Sequence, residues 1–210
     1  FHEQWLGVSD LVGVARNQQL HPTWSKPLAA SMLEEVRRFS ADVILRRDGR
    51  FETLLTATES FVDGRLAAHY AATGIAASAP FAPITHPRTQ RAGLLTLAGV
   101  MAAHADENEP SPILRGLFVR ERLMCDHIEP PPPGIPDLPP RDESLPKKQY
   151  FANHTQGSCN ACHQLMDPIG FSFEHYNSIG KFRTMDGRFA VDAAGTIAGL
   201  DGKTLTVANA

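Results

Sequence analysis

The run Cys159-Asn160-Ala161-Cys162-His163 places two thiols two residues apart with an imidazole directly behind them. Two thiols at that spacing can form thioethers with the two vinyl groups of one haem, and the following imidazole can bind its iron; Cys-x-x-Cys-His is the attachment signature of haem c. On a helical turn the three residues fall at i, i+3 and i+4, so they face the same way. Other uses of the pair fit less well. A zinc site needs two further ligands, and a His directly after a Cys suits zinc-ligand spacings poorly. A thioredoxin-like dithiol calls for a βαβ setting that the sequence lacks. A structural pair of buried thiols leaves His163 without a role. The expected cofactor is haem c, with Cys159 and Cys162 as attachment points and His163 as the proximal iron ligand.

The neighbouring elements must present this motif. Ser144-Leu145-Pro146 predicts the start of a helix that runs through His154 and feeds into the motif. Pro168 predicts that the chain leaves the helix at Asp167, because proline disfavours helical geometry in the residue before it. Pro168 is then the candidate to orient the His163 ring through a backbone carbonyl. Phe171, Phe173, Tyr176 and Ile179 supply packing, with Phe171, Phe173 and Tyr176 expected against the macrocycle. The ligand on the far side of the iron separates electron transfer, which wants a filled position, from ligand or peroxide chemistry, which wants an open one. Met185 is the first candidate because it follows His163 at a distance that can wrap the ring. His154 comes next and His175 after it. Met166, three residues past His163 on the same helical face, cannot easily reach the opposite side and ranks below these.

The remainder of the 210 residues, 42% hydrophobic and 20% charged, is enough for one sizeable domain or two small ones. A net charge of −3 offers no basic footprint for nucleic acid, and no apolar run is long enough to cross a membrane. Leu28, Met32, Val36, Phe39 and Val43 recur at helical spacing and predict a helix ended by Asp48-Gly49. Trp5, Leu6, Val8, Leu11 and Val12 form a packing face before it. Phe51 to Leu55 predicts a helical patch, Ser60 a cap for a helix through Tyr70, residues 73 to 88 a loop, and residues 93 to 104 a short buried helix. Ser111-Pro112 is a good helix start, with Arg115, Arg120 and Arg122 expected on a solvated face. Cys125, left single, is expected to be a buried apolar thiol. A proline-rich stretch then reads as a polyproline connector. Met185-Asp186-Gly187 predicts the turn of a short hairpin, and the tail predicts loops and short strands. The expected architecture is mainly α: a helical domain over 1–128, a connector over 129–143 and a small cytochrome c-like haem module with a β-hairpin over 144–210.

The second half resembles the planctomycete-type cytochrome c proteins, large exported multi-module proteins of largely uncharacterised function. The resemblance is carried by Arg91-Ala92-Gly93-Leu94-Leu95, Ser111-Pro112-Ile113-Leu114-Arg115-Gly116, the proline run, and His154 ahead of the Cys-x-x-Cys-His motif. Beyond the motif it continues through Met166-Asp167-Pro168-Ile169-Gly170-Phe171, Phe173-Glu174-His175-Tyr176, Gly180-Lys181-Phe182-Arg183-Thr184 and Val191-Asp192-Ala193-Ala194-Gly195. Residues 1 to about 75 look like the end of the helical module that precedes this one in such proteins. The resemblance implies covalent haem, an extracytoplasmic site (periplasmic, secreted or cell-surface) and redox work. Residues 1 to 6 are not a charged segment followed by an apolar one, so they are expected to begin inside a longer precursor, downstream of an export signal. The function expected is single-electron transfer with a redox partner protein or other modules of the same assembly. The alternatives are a peroxidase-like haem enzyme with an open distal site and a haem-stapled structural or interaction module.

Overall fold

The proline run is not where the chain divides. The computed structural model describes residues 1–134 and 139–210, and these form two compact units: Phe1–Pro110 with Tyr176–Phe182, and Ser111–His175 with Arg183–Ala210. The helix that opens at Ser111, expected in the first domain, belongs to the second unit. Of the connector expected over 129–143, residues 135–138 lie outside the described residues.

In the first unit, the turn α1 (His2–Trp5) and a 3-10 turn at Leu11–Gly13 bury Leu6, Val8 and Leu11. The periodic stretch becomes α2 (Lys26–Ala41), capped by the Ser25 hydroxyl, which accepts from the Leu28 amide. A wider π turn, Asp42–Arg46, extends it, and the positive φ of Gly49 lets the chain turn away. Leu28, Met32, Val36 and Phe39 on its inner face are buried, with Val43 beyond them in the π turn. After α3 (Phe51–Thr56) the expectation fails. Ser60 caps nothing: it lies in β1 (Glu59–Val62), and the helix α4 (Gly64–His69) is capped instead by Asp63, whose carboxylate accepts from the Leu66 amide at 2.8 Å. The reason is tertiary, since the Ser60 hydroxyl donates to the fully buried Glu35 carboxylate at 2.8 Å. The expected loop over 73–88 contains β2 (Ala82–Thr85), antiparallel to β1 with Glu59 opposite Thr85. The apolar stretch over 93–104 divides into a 3-10 turn at Leu94–Thr96 and α5 (Ala98–Ala103). Leu28, Met32, Leu66, Ala98 and Ile179 meet in one core.

In the second unit, α6 (Pro112–Phe118) begins as expected, with the Ser111 side chain accepting from the Leu114 amide, and continues as a π turn at Val119–Leu123. Cys125 is exposed, not buried. It follows the π turn at φ 55°, so the exit from the helix, not apolar packing, sets its place. Two helices follow, α7 (Lys147–His154) and α8 (Asn160–Phe171). Three short hairpin-type pairings complete the described strands: β1 with β2, β3 (Met185–Asp186) with β4 (Phe189–Ala190), and β5 (Gly195–Ala198) with β6 (Thr204–Val207). The chain is mainly helical with small antiparallel sheets, as its patterning predicts.

Helix α8 does not stop at Asp167; Pro168 lies inside it. Proline removes the amide that would bond four residues back and crowds the turn before it, so the local sequence alone favours an ending. Packing against α6 overrides this. A Cβ on Gly116 would stand 2.0 Å from the Met166 carbonyl oxygen, and one on Gly170 1.8 Å from that of Pro112. Only glycine, one on each helix, permits that approach. Arg120 reinforces it by donating from Nε to the Leu165 carbonyl at 2.9 Å.

Candidate cofactor site

The motif sits where the 3-10 turn Gly157–Cys159 passes into the first turn of α8. Cys159 is half-buried, Cys162 is exposed, and neither is in a disulfide. Both thiols stand one helical turn apart, with His163 beside Cys162. The His163 ring is fixed from behind: Nδ1 lies 3.0 and 3.1 Å from the two carboxylate oxygens of Asp167. A carboxylate accepts, so in the neutral ring the proton sits on Nδ1 and Nε2 keeps its lone pair. No hydrogen bond engages Nε2 among the described residues. This arrangement fits iron ligation by Nε2 and thioether formation at two unblocked sulfurs. It fits tetrahedral zinc poorly, because among the described residues no three His, Cys, Asp or Glu side chains are grouped to hold an ion.

The partner of His163 is therefore Asp167, whereas the sequence pointed to Pro168. The Pro168 carbonyl oxygen faces β5, 3.6 Å from where a Cβ on Gly195 would lie. The signal was present, since Asp167 is four residues after His163 and such residues share a helical face. It was lost by ending the helix at Asp167.

The other expected site residues are placed as follows. Phe171 ends α8 and packs with Tyr150 and Phe151 of α7, its ring edge-on to Phe151 at 5.5 Å. Phe173 is buried, and its carbonyl accepts from Arg115 at 3.0 Å. Tyr176 belongs to the first unit, where its hydroxyl donates to the Gln90 carbonyl at 2.6 Å and the Arg91 guanidinium lies over its ring. His154 is exposed at the end of α7, its Nδ1 2.6 Å from the Tyr150 carbonyl oxygen of its own helix. Met185 opens β3 and is 49% exposed. No hydrogen bond joins His154 or His175 to His163 among the described residues; His175 Nδ1 meets the Arg183 carbonyl at 2.9 Å.

Arg115 and Arg120, expected on a solvated face, are 0% and 1% exposed. Arg120 serves three acceptors: the Leu165 carbonyl, the Ala198 carbonyl at 2.6 Å and the Asp126 carboxylate at 2.9 Å. Buried guanidinium groups are stable only with such acceptors, and here the acceptors are largely backbone around α8. The hairpin carrying Met185 is tied in similarly. Glu174, 3% exposed, faces Lys147 at 3.6 Å and Arg183 at 2.9 Å, and Asp186 pairs with both Arg183 and Arg141.

The first unit holds a separate polar cluster beside a cavity of about 530 Å³ lined by His69, Tyr70, His86, Arg91 and Lys181, among others. Tyr70 donates to Glu35 at 2.5 Å, and burial, then the Glu35 charge, raise the Tyr70 hydroxyl well above its ordinary value. Burial, then the charges of Arg91 and Lys181, push the His69 imidazole down to about 3.

Two families match the chain. Residues 91–186 match PSCyt3, a protein of unknown function (DUF1588). Residues 1–72 match PSD4, a protein of unknown function (DUF1592). The first name hints at a cytochrome-type family, in line with the expected resemblance, while both descriptions leave function open. No curated protein and no solved structure matches. No helix among the described residues is long and apolar enough to cross a membrane.

Proposed function

We propose that this chain is a c-type cytochrome module that carries one haem attached through Cys159 and Cys162, ligated by His163, and passes single electrons outside the cytoplasm. The observation that carries the reading is the His163 ring, held through Nδ1 by Asp167 with no hydrogen bond at Nε2 among the described residues, one residue past Cys162 and four past Cys159, neither of them in a disulfide. Bound there, haem c would supply a one-electron iron couple. The chain's own work is to hold the two sulfurs and the imidazole on one helical turn and to keep that helix rigid. The glycine contact with α6 and the Arg120 bonds do the second. Covalent haem attachment is normally completed outside the cytoplasm, which supports an extracytoplasmic setting and a redox partner protein or neighbouring modules as electron donor and acceptor. The cytochrome-type family name supports the same reading.

The test is a visible spectrum, ferric and dithionite-reduced, of the chain produced with haem c maturation machinery, together with a pyridine haemochrome assay for thioethers. Sharp low-spin bands in both states are expected, with Cys159→Ala and Cys162→Ala lowering covalent haem. A high-spin spectrum with rapid cyanide binding would overturn electron transfer in favour of a peroxidase-like enzyme. Absence of covalent haem would overturn the cytochrome reading altogether.

A further inference from the structure

Asp167 is buried, at 7% exposure, yet the imidazole of His163 is the only side chain with which it pairs among the described residues. A buried carboxylate is costly unless a partner compensates it, and lysine or arginine would be the ordinary choice. Here both oxygens turn instead to one ring nitrogen, at 3.0 and 3.1 Å. The Arg120 guanidinium, close enough to bond Leu165, spends its donors on two carbonyls and Asp126. The negative charge is thus left to face His163.

We infer that Asp167 is the positioning residue of the site: its carboxylate fixes the ring plane and tautomer of His163 through Nδ1 and sets one negative charge behind the iron ligand. The inference rests on the haem reading proposed above. A charge in that place favours the oxidised centre, which carries one more positive charge than the reduced one, so the carboxylate holds the potential low. Orientation alone would be served by any acceptor; lowering the potential needs the charge.

The experiment compares holoprotein of wild type, Asp167→Asn and Asp167→Glu by spectroelectrochemical titration, one electron per haem being delivered from the electrode through mediators. Asp167→Asn keeps the size and an accepting oxygen but loses the charge. It is expected to shift the oxidised-to-reduced ratio at a fixed potential tenfold to a hundredfold toward reduced, a rise of about 60 to 120 mV. Asp167→Glu is expected to return part of that shift. A ratio within threefold of wild type in Asp167→Asn, with haem content and spectrum unchanged, would overturn the inference and leave the haem reading intact. Wild-type protein without covalent haem would instead remove the reading beneath it. If Asp167→Asn fails to mature, proton NMR of the reduced wild type decides. A slowly exchanging His163 Nδ1 proton with a cross-peak to the Asp167 β-protons is expected, and its absence overturns the inference.

Discussion

Replacing Gly170 by Ala tests whether the contact between α6 and α8 sets the site. The added Cβ would lie 1.8 Å from the Pro112 carbonyl oxygen, 2.5 Å from its carbon and 2.6 Å from its Cα. Ordinary contact between non-bonded heavy atoms is about 3.5 Å or more, so the helices must part by over 1.5 Å at this point. Nothing flexible can give way, because every clashing atom is backbone. Parting would stretch the Arg115 bond to Phe173 and the Arg120 bond to Leu165, now 3.0 and 2.9 Å, beyond hydrogen-bond range. Overpacking costs about 1 to 3 kcal/mol, and each buried donor left without its acceptor adds about 1 to 3 kcal/mol. A loss of at least about 3 kcal/mol follows, a fall of about a hundredfold in amide protection. Both Trp residues, Trp5 and Trp24, lie in the first unit, so their fluorescence is a poor reporter here. Hydrogen exchange of the α8 amides is the suitable assay, with Gly13→Ala as control because nothing lies within 4 Å of its Cβ position. Protection of α8 in Gly170→Ala within threefold of wild type would refute the reasoning.

Two further outcomes concern the first unit. His69 is pushed down to about 3 from an ordinary 6.5, so it stays neutral in the folded chain while an unfolded chain takes up a proton below about 6.5. Stability should be insensitive to this group above that pH and fall by about 1.4 kcal/mol per pH unit below it, down to about pH 3; a His69 ring resonance titrating near 6.5 would refute this. Asp63→Ala removes both the α4 cap to Leu66 and the acceptor of the Ser31 hydroxyl at 2.7 Å. A loss of about 1 to 2 kcal/mol is expected in urea unfolding followed by Trp fluorescence, and an unchanged midpoint would show the cap to be idle.

What could be read from the sequence was whatever depends on neighbours along the chain. The thiol and imidazole spacing around Cys159, Cys162 and His163, the period of α2 and the Ser111-Pro112 start of α6 are all local, and each stands where its residues predict; the hairpin is present too, but Met185 and Asp186 form its first strand and the turn falls later, at Gly187-Arg188. Decisions made by distant residues were not legible. Ser60 reads as a cap until the buried Glu35 carboxylate, 25 positions away, draws it into a strand. Arg115 and Arg120 read as solvated because charge is normally paid for with water, and the carbonyls of Phe173, Leu165 and Ala198 together with the Asp126 carboxylate help make burial tolerable. Pro168 reads as the end of α8 because local sterics favour an ending there; the closeness of α6, made possible by Gly116 and Gly170, keeps the helix going. That last decision also determines the site. Asp167 reaches His163 only when the helix runs past it, so the sequence supplies the imidazole and the tertiary contact supplies its partner.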